Sequence, residues 1–87
     1  MQLKGQTNMK AFIILKNSDF TEGRGPMVFD TVCLTKDAVI KYLNSRPYGI
    51  YGWHPPKGKT FAEMVLGPSK NHGGWAGYEV REVEVFQ

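Results

Sequence analysis

The sequence predicts a small α+β domain: an antiparallel sheet with one helix packed on one face, in the order β-β-α-irregular-β. Three observations predict it. Two short apolar, β-branched runs come early, separated by a Gly/Pro loop. A capped amphipathic segment follows them and stops at a proline. A run of alternating valines and acids closes the chain.

The first strand is read over residues 10–17, KAFIILKN, where Ala11 to Leu15 are five consecutive apolar residues. A short run with a β-branched centre reads as a central strand buried on both faces. Residues Ser18 to Pro26 form a loop too long for a tight hairpin, with Asp19, Gly23, Gly25 and Pro26 as turn residues. The second strand covers residues 27–34. Strict alternation puts Met27, Phe29, Thr31 and Cys33 on one face and Val28, Asp30, Val32 and Leu34 on the other.

The helix is expected from Lys36 to Ser45. Thr35 is a good N-cap, Asp37 suits the positive end of the helix dipole, and Val39, Ile40 and Leu43 form an apolar stripe. Pro47 ends it. Thr60 to Glu63 fits a capping box, so a helix of barely two turns can run to Gly67, although MVL alone suits a strand equally well. Asn71 to Gly74 reads as a turn. The last strand covers residues 77–86 and carries a phase fault. Tyr78 and Val80 fall on one face, Val83 and Val85 on the other. Either the strand is apolar on two faces, or a bulge near Arg81 and Glu82 resets it; the bulge is preferred.

Eighty-seven residues make one domain. Residues 1–9 are expected to be a flexible leader, and residues 10–87 the single folded domain. One cysteine, Cys33, cannot form an internal disulfide, which fits a reducing cytoplasm. No apolar run approaches the length of a membrane span, so no membrane partner is expected. The net charge of +3 permits nucleic-acid or acidic-protein contact without demanding it.

That charge is concentrated. From Arg46 to Trp75, four bases face one acid, Glu63, while the remaining bases and acids cancel. The same region, Pro47 to Trp75, holds six of the ten glycines, four of the five prolines and both tryptophans. Its rings and cations interleave, which suits a protein-binding hot spot or single-stranded nucleic acid. The alternative is that Trp53, Phe61 and Trp75 supply core and the lysines are merely solvated. The candidate binding residues are Arg24, Tyr51, Trp53, His54, Lys57, Lys59 and Lys70. Trp53, between Gly52 and His54-Pro55-Pro56, is expected at the surface, and Trp75 in the core.

Catalysis has little support. The loop Thr21 to Pro26 is not a phosphate-binding P-loop. Asp19, Glu22 and Asp30 are the acids that a metal nuclease would have to cluster, and three acids around a β-loop more often lie apart on the surface. Cys33, His54 and His72 match no zinc spacing, so no metal and no other cofactor is expected.

The strand leading into N-S-D-F-T-E-G-R-G-P-M, the T-K-D-A helix, G-I-Y-G and the closing Y-E-V-R-E-V-E-V-F resemble small accessory proteins of tailed bacteriophages. The resemblance covers about Lys10 to Gln87 and transfers no catalytic residue. It implies a non-enzymatic phage product in the host bacterial cytoplasm that binds and inhibits or modulates a host protein, such as a defence enzyme. A nucleic-acid-binding module using the same rings and lysines is the alternative.

Overall fold

The structure is a computed structural model that describes residues 9–46, 48–67 and 73–86. It is an α+β fold. Four antiparallel strands, β1 (Met9–Asn17), β2 (Met27–Cys33), β3 (Gly73–Trp75) and β4 (Tyr78–Val85), lie in the order β2-β1-β4-β3. Two helices, α1 (Lys36–Asn44) and α2 (Phe61–Leu66), cover one face. Among the described residues no helix is long and apolar enough to cross a membrane.

Both helices form where their caps allow. The Thr35 hydroxyl accepts the Ala38 amide at 3.0 Å, leaving Asp37 in the first turn of α1. Thr60 and Glu63 close a reciprocal capping box at the start of α2. Gly67, at φ 63°, ends it. The helical reading of FAEMVL is therefore correct. The end of α1 also caps the start of α2, because the Asn44 side chain accepts the Ala62 amide at 2.8 Å. That bond fixes two short helices that neither length nor propensity would hold alone.

The core lies between these helices and the sheet. Phe12 and Ile14 of β1 and Tyr78 and Val80 of β4 meet Val39 and Leu43 of α1 and Phe61, Val65 and Leu66 of α2. Cys33 joins them from β2, and burial pushes its thiol pKa up.

Three expectations about the sheet are corrected. β4 has no bulge near Arg81, for it pairs with β1 without interruption from Met9 opposite Val85 to Lys16 opposite Tyr78. Tyr78 and Val80 face the helices, and Val83 and Val85 emerge on the other face, so the strand is apolar on both. The register shift lies instead between β1 and β2, where Ile14 opposes Thr31 and Leu15 opposes Phe29. Asp30 is the extra residue, and the strict alternation read for β2 breaks there. Thr31 and Cys33 keep the helix face, while Phe29 shares its face with Val32. Finally, β1 is central as expected, but among the described residues no element covers its second face. Its helix-facing Phe12 and Ile14 are buried, whereas Ile13 and Leu15 on the other face are only half-buried.

Of the turn read at Asn71 to Gly74, Asn71 and His72 lie outside the described residues, and the rest is not a turn. Gly73 and Gly74 belong to β3, a strand absent from the sequence reading. The hairpin turn is Ala76-Gly77, with φ 55° and 88°. Two successive positive φ values between paired Trp75 and Tyr78 make a type I′ loop, whose twist matches the strands it joins. The Trp75 side chain, expected in the core, lies outside the described residues, as do His72 and Lys70.

The Asp30 bulge has a polar role. The Tyr42 hydroxyl donates to Asp30 Oδ2 at 2.6 Å, and the Arg46 guanidinium lies over the Tyr42 ring, 4.3 Å from its centroid. Burial first, and then this carboxylate, push the Tyr42 pKa up to about 12.

Two outcomes follow for the packing. Leu43 is fully buried, so Leu43→Ala should lower stability by about 2–4 kcal/mol through lost transfer energy and a cavity. An unchanged denaturation midpoint would refute this packing. A tyrosine with a raised folded-state pKa favours the native state below its unfolded value, near 10, and loses that contribution as pH climbs to about 12. Denaturation melts of the wild type between these values should show a progressive loss of stability, and Tyr42→Phe should show a smaller one.

Candidate binding surface

Three loops converge at one end of the sheet: residues 18–26 between β1 and β2, residues 48–60 between the helices, and the Ala76-Gly77 turn. Backbone hydrogen bonds join them. The Tyr51 amide donates to the Phe20 carbonyl at 3.1 Å, and the Ile50 amide to the Ala76 carbonyl at 2.8 Å. The Asn17 amide donates to the Gly77 carbonyl at 2.8 Å. The middle loop, which composition describes only as irregular, is thereby pinned through a single 3-10 turn, Ile50–Gly52, at its centre.

Glycine permits the approach. A Cβ on Gly77 would sit 2.9 Å from the Ile50 Cβ and 3.0 Å from the Phe20 ring, at a φ of 88° that side chains resist. A Cβ on Gly23, also at positive φ, would lie 2.4 Å from Ile50 Cδ1 and 2.9 Å from the Tyr51 hydroxyl. The first loop is shaped by its own polar groups. The Asp19 amide donates to Asn17 Oδ1, the Glu22 amide to Asp19 Oδ1, and the Gly23 amide to the Asp19 carbonyl. The Gly23 amide is thus already engaged inside the loop.

A row of rings runs through this end of the molecule. Tyr48 leans on Phe20, Phe20 meets Tyr78 edge-on at 5.5 Å, Tyr78 meets Phe61 at 5.6 Å, and Phe61 meets Trp53 at 5.8 Å. Tyr78 and Phe61 are buried, while Tyr48 and Trp53 at the two ends reach the surface. Trp53 is therefore partly exposed, as expected, yet it does not protrude freely: one side of the indole packs on the core.

Tyr51 stands apart from the row. Its backbone is left-handed, φ 61° and ψ 19°, a conformation costly for a bulky residue. Its hydroxyl donates to the Glu22 carbonyl, and its side is 70% exposed. One open cleft, about 360 Å³, lies between Tyr51, Phe20, Thr21 and Tyr48. A second, about 340 Å³, lies between Tyr51, Ile50, Trp53 and Ala76. Tyr51 is the wall they share.

Of the residues singled out in the sequence, the fold brings together Tyr51, Trp53 and the loop that carries Arg24. Arg24 is exposed and lies 3.9 Å from Glu22, the residue whose carbonyl holds Tyr51. His54, Lys57 and Lys59 follow on an exposed stretch. There the Lys59 amide bonds the Pro56 carbonyl and Gly58 takes φ 88°, which puts Lys57 at the tip of a tight turn. Sequence reasoning missed Phe20, Tyr48 and Ile50. Asp19, Glu22 and Asp30 hold separate local contacts: a loop cap, the pairing with Arg24, and the Tyr42 hydroxyl. Among the described residues no three His, Cys, Asp or Glu side chains are grouped so as to hold a metal ion.

No family model, no curated protein and no solved structure matches this chain.

The convergence of the loops on Gly77 is directly testable. Gly77→Ala should destabilise the fold by about 1–3 kcal/mol, since it combines a disfavoured φ with a clash against Ile50. A chemical-denaturation midpoint equal to wild type would show that the loops do not close on this residue.

Proposed function

We propose that this chain is a non-enzymatic binding module that docks a protein partner on the ring-lined surface around Tyr51. One observation carries the reading. A large ring is held exposed in a strained backbone, between two open clefts, by bonds from a neighbouring loop. Strain of this kind persists only where surrounding structure enforces it, and it concentrates at functional positions. Tyrosine and tryptophan beside clefts, with arginine at the margin, are the usual composition of a protein hot spot. Tyr51 and Trp53 form the centre of the proposed contact, with Arg24 at its margin and His54, Lys57 and Lys59 as its basic flank; Lys70, proposed with them, lies outside the described residues.

The resemblance to phage accessory proteins supports a bacterial host protein as the partner, inhibited or modulated in the host cytoplasm. The exposed turn carrying Lys57 and Lys59 favours a second reading, in which bases stack on Tyr51 and the lysines follow a single strand.

The partner is to be isolated from a bacterial lysate with the intact chain as bait and then titrated. Tyr51→Ala should weaken binding by about 2 kcal/mol or more with little change in melting temperature. Trp53→Ala should weaken both binding and stability, because its ring also packs on Phe61. Affinity that falls steeply and linearly in log-log against salt, with oligonucleotide binding, would replace the protein partner by a nucleic acid. Wild-type affinity in Tyr51→Ala would remove this surface from the reading altogether.

A further inference from the structure

The sheet face turned away from the helices has no cover among the described residues. Alternation and pairing place Ala11, Ile13 and Leu15 of β1 on it, with Phe29 and Val32 of β2 and Val83 of β4. Phe29 is 63% exposed and Val32 51% exposed. Ala11 is only 2% exposed yet takes no part in the helix-covered core. Ile13, Leu15 and Val83 on the same face are half-buried. Soluble monomers rarely expose a contiguous apolar patch of this extent.

We propose that this face is a dimer interface and that its occupant is a second copy of the chain, packed sheet against sheet. The charges on the face select that occupant. Glu79 and Arg81 both project from β4 onto it and bond to each other. A two-fold axis lying in the interface plane and crossing β4 between these two residues sets Arg81 of each copy against Glu79 of the other, so the surface is complementary to itself, as an isologous interface requires. The chain's net charge of +3 finds no expression here, which disfavours a nucleic acid or an anionic membrane as the occupant. Size fits as well. Three strands about 4.8 Å apart and nine residues of about 3.3 Å each give a face of roughly 14 by 30 Å. Side-chain relief raises its accessible area toward the roughly 800 Å² that each partner contributes to a standard interface. The Tyr51 surface lies at the loop end of the sheet, so a dimer would present two copies of it.

Sedimentation equilibrium on the full chain, across the micromolar range, tests the proposal. The expected result is a mass of two chains that falls to one on dilution. Val32→Lys should give one chain at every concentration while keeping the wild-type far-ultraviolet circular dichroism. If Val32→Lys does not fold, the near-isosteric Val32→Thr takes its place and should weaken dimerisation about tenfold. Arg81→Glu should weaken the dimer, and the swap Glu79→Arg with Arg81→Glu should restore it. A single-chain mass for the wild type throughout would assign the face to another occupant and overturn the proposal. So would a dimer that persists unchanged in folded Val32→Lys or Val32→Thr, or a charge swap that fails to recover what Arg81→Glu loses.

Discussion

Tyr78 is buried between two rings, Phe20 on one side and Phe61 on the other, each met edge-on. The arrangement at the loop end depends on that placement. Phe20 comes from the loop after β1 and Phe61 is the first residue of α2, so one side chain ties the sheet to both. Tyr78 is presented by the type I′ turn immediately before it, and Gly77 in that turn receives Ile50 and Phe20 at close range. Edge-to-face contacts are each worth only about 1 kcal/mol beyond burial, but they fix ring orientation as well as distance. The row therefore sets where Trp53 and Tyr48 surface at its two ends, and with them the outer limits of the two clefts.

Local chemistry and the antiparallel character of the sheet were readable from the sequence, and the register of its strands was not. The Thr35 cap, the Val39 and Leu43 stripe and the Thr60–Glu63 capping box are signals within a few residues of one another, and each appears in the structure where it is expected. The errors share a different cause. Asp30 is a bulge only because of what lies opposite it in β1, and nothing in MVFDTVC marks the extra residue. The fault in β4 vanishes once the sheet is allowed a second apolar face. Ala76-Gly77 was overlooked because NHGG is the stronger turn signal on composition, whereas Ala76 at φ 55° is an unusual occupant of its position.

The binding surface was legible in part for the same reason. Tyr51 and Trp53 stand out in a glycine- and proline-rich segment, and Arg24 in its own distinctive loop. That Glu22 holds the Tyr51 hydroxyl from a loop 29 residues earlier is a tertiary fact. Phe20 and Tyr48 carry no local mark at all. Their role appears only when the first loop folds over the 3-10 turn, and that requires a close approach at Gly23 that sequence spacing does not encode.

The pairing of β1 with β4 sets an order of events during synthesis. β1 and β2 are close in the chain and are able to form a ribbon early, but the other edge of β1 must wait for a strand more than sixty residues away. Until that strand arrives, the most apolar segment of the chain carries an open row of backbone donors and acceptors. Non-local strand pairs of this kind close slowly and expose the chain to association with its neighbours. The ion pair between Lys10 and Glu82 lies where the two strands meet. A charged pair at that point rewards the correct late partner and gives a wrong strand, entering the same edge, an unmatched lysine.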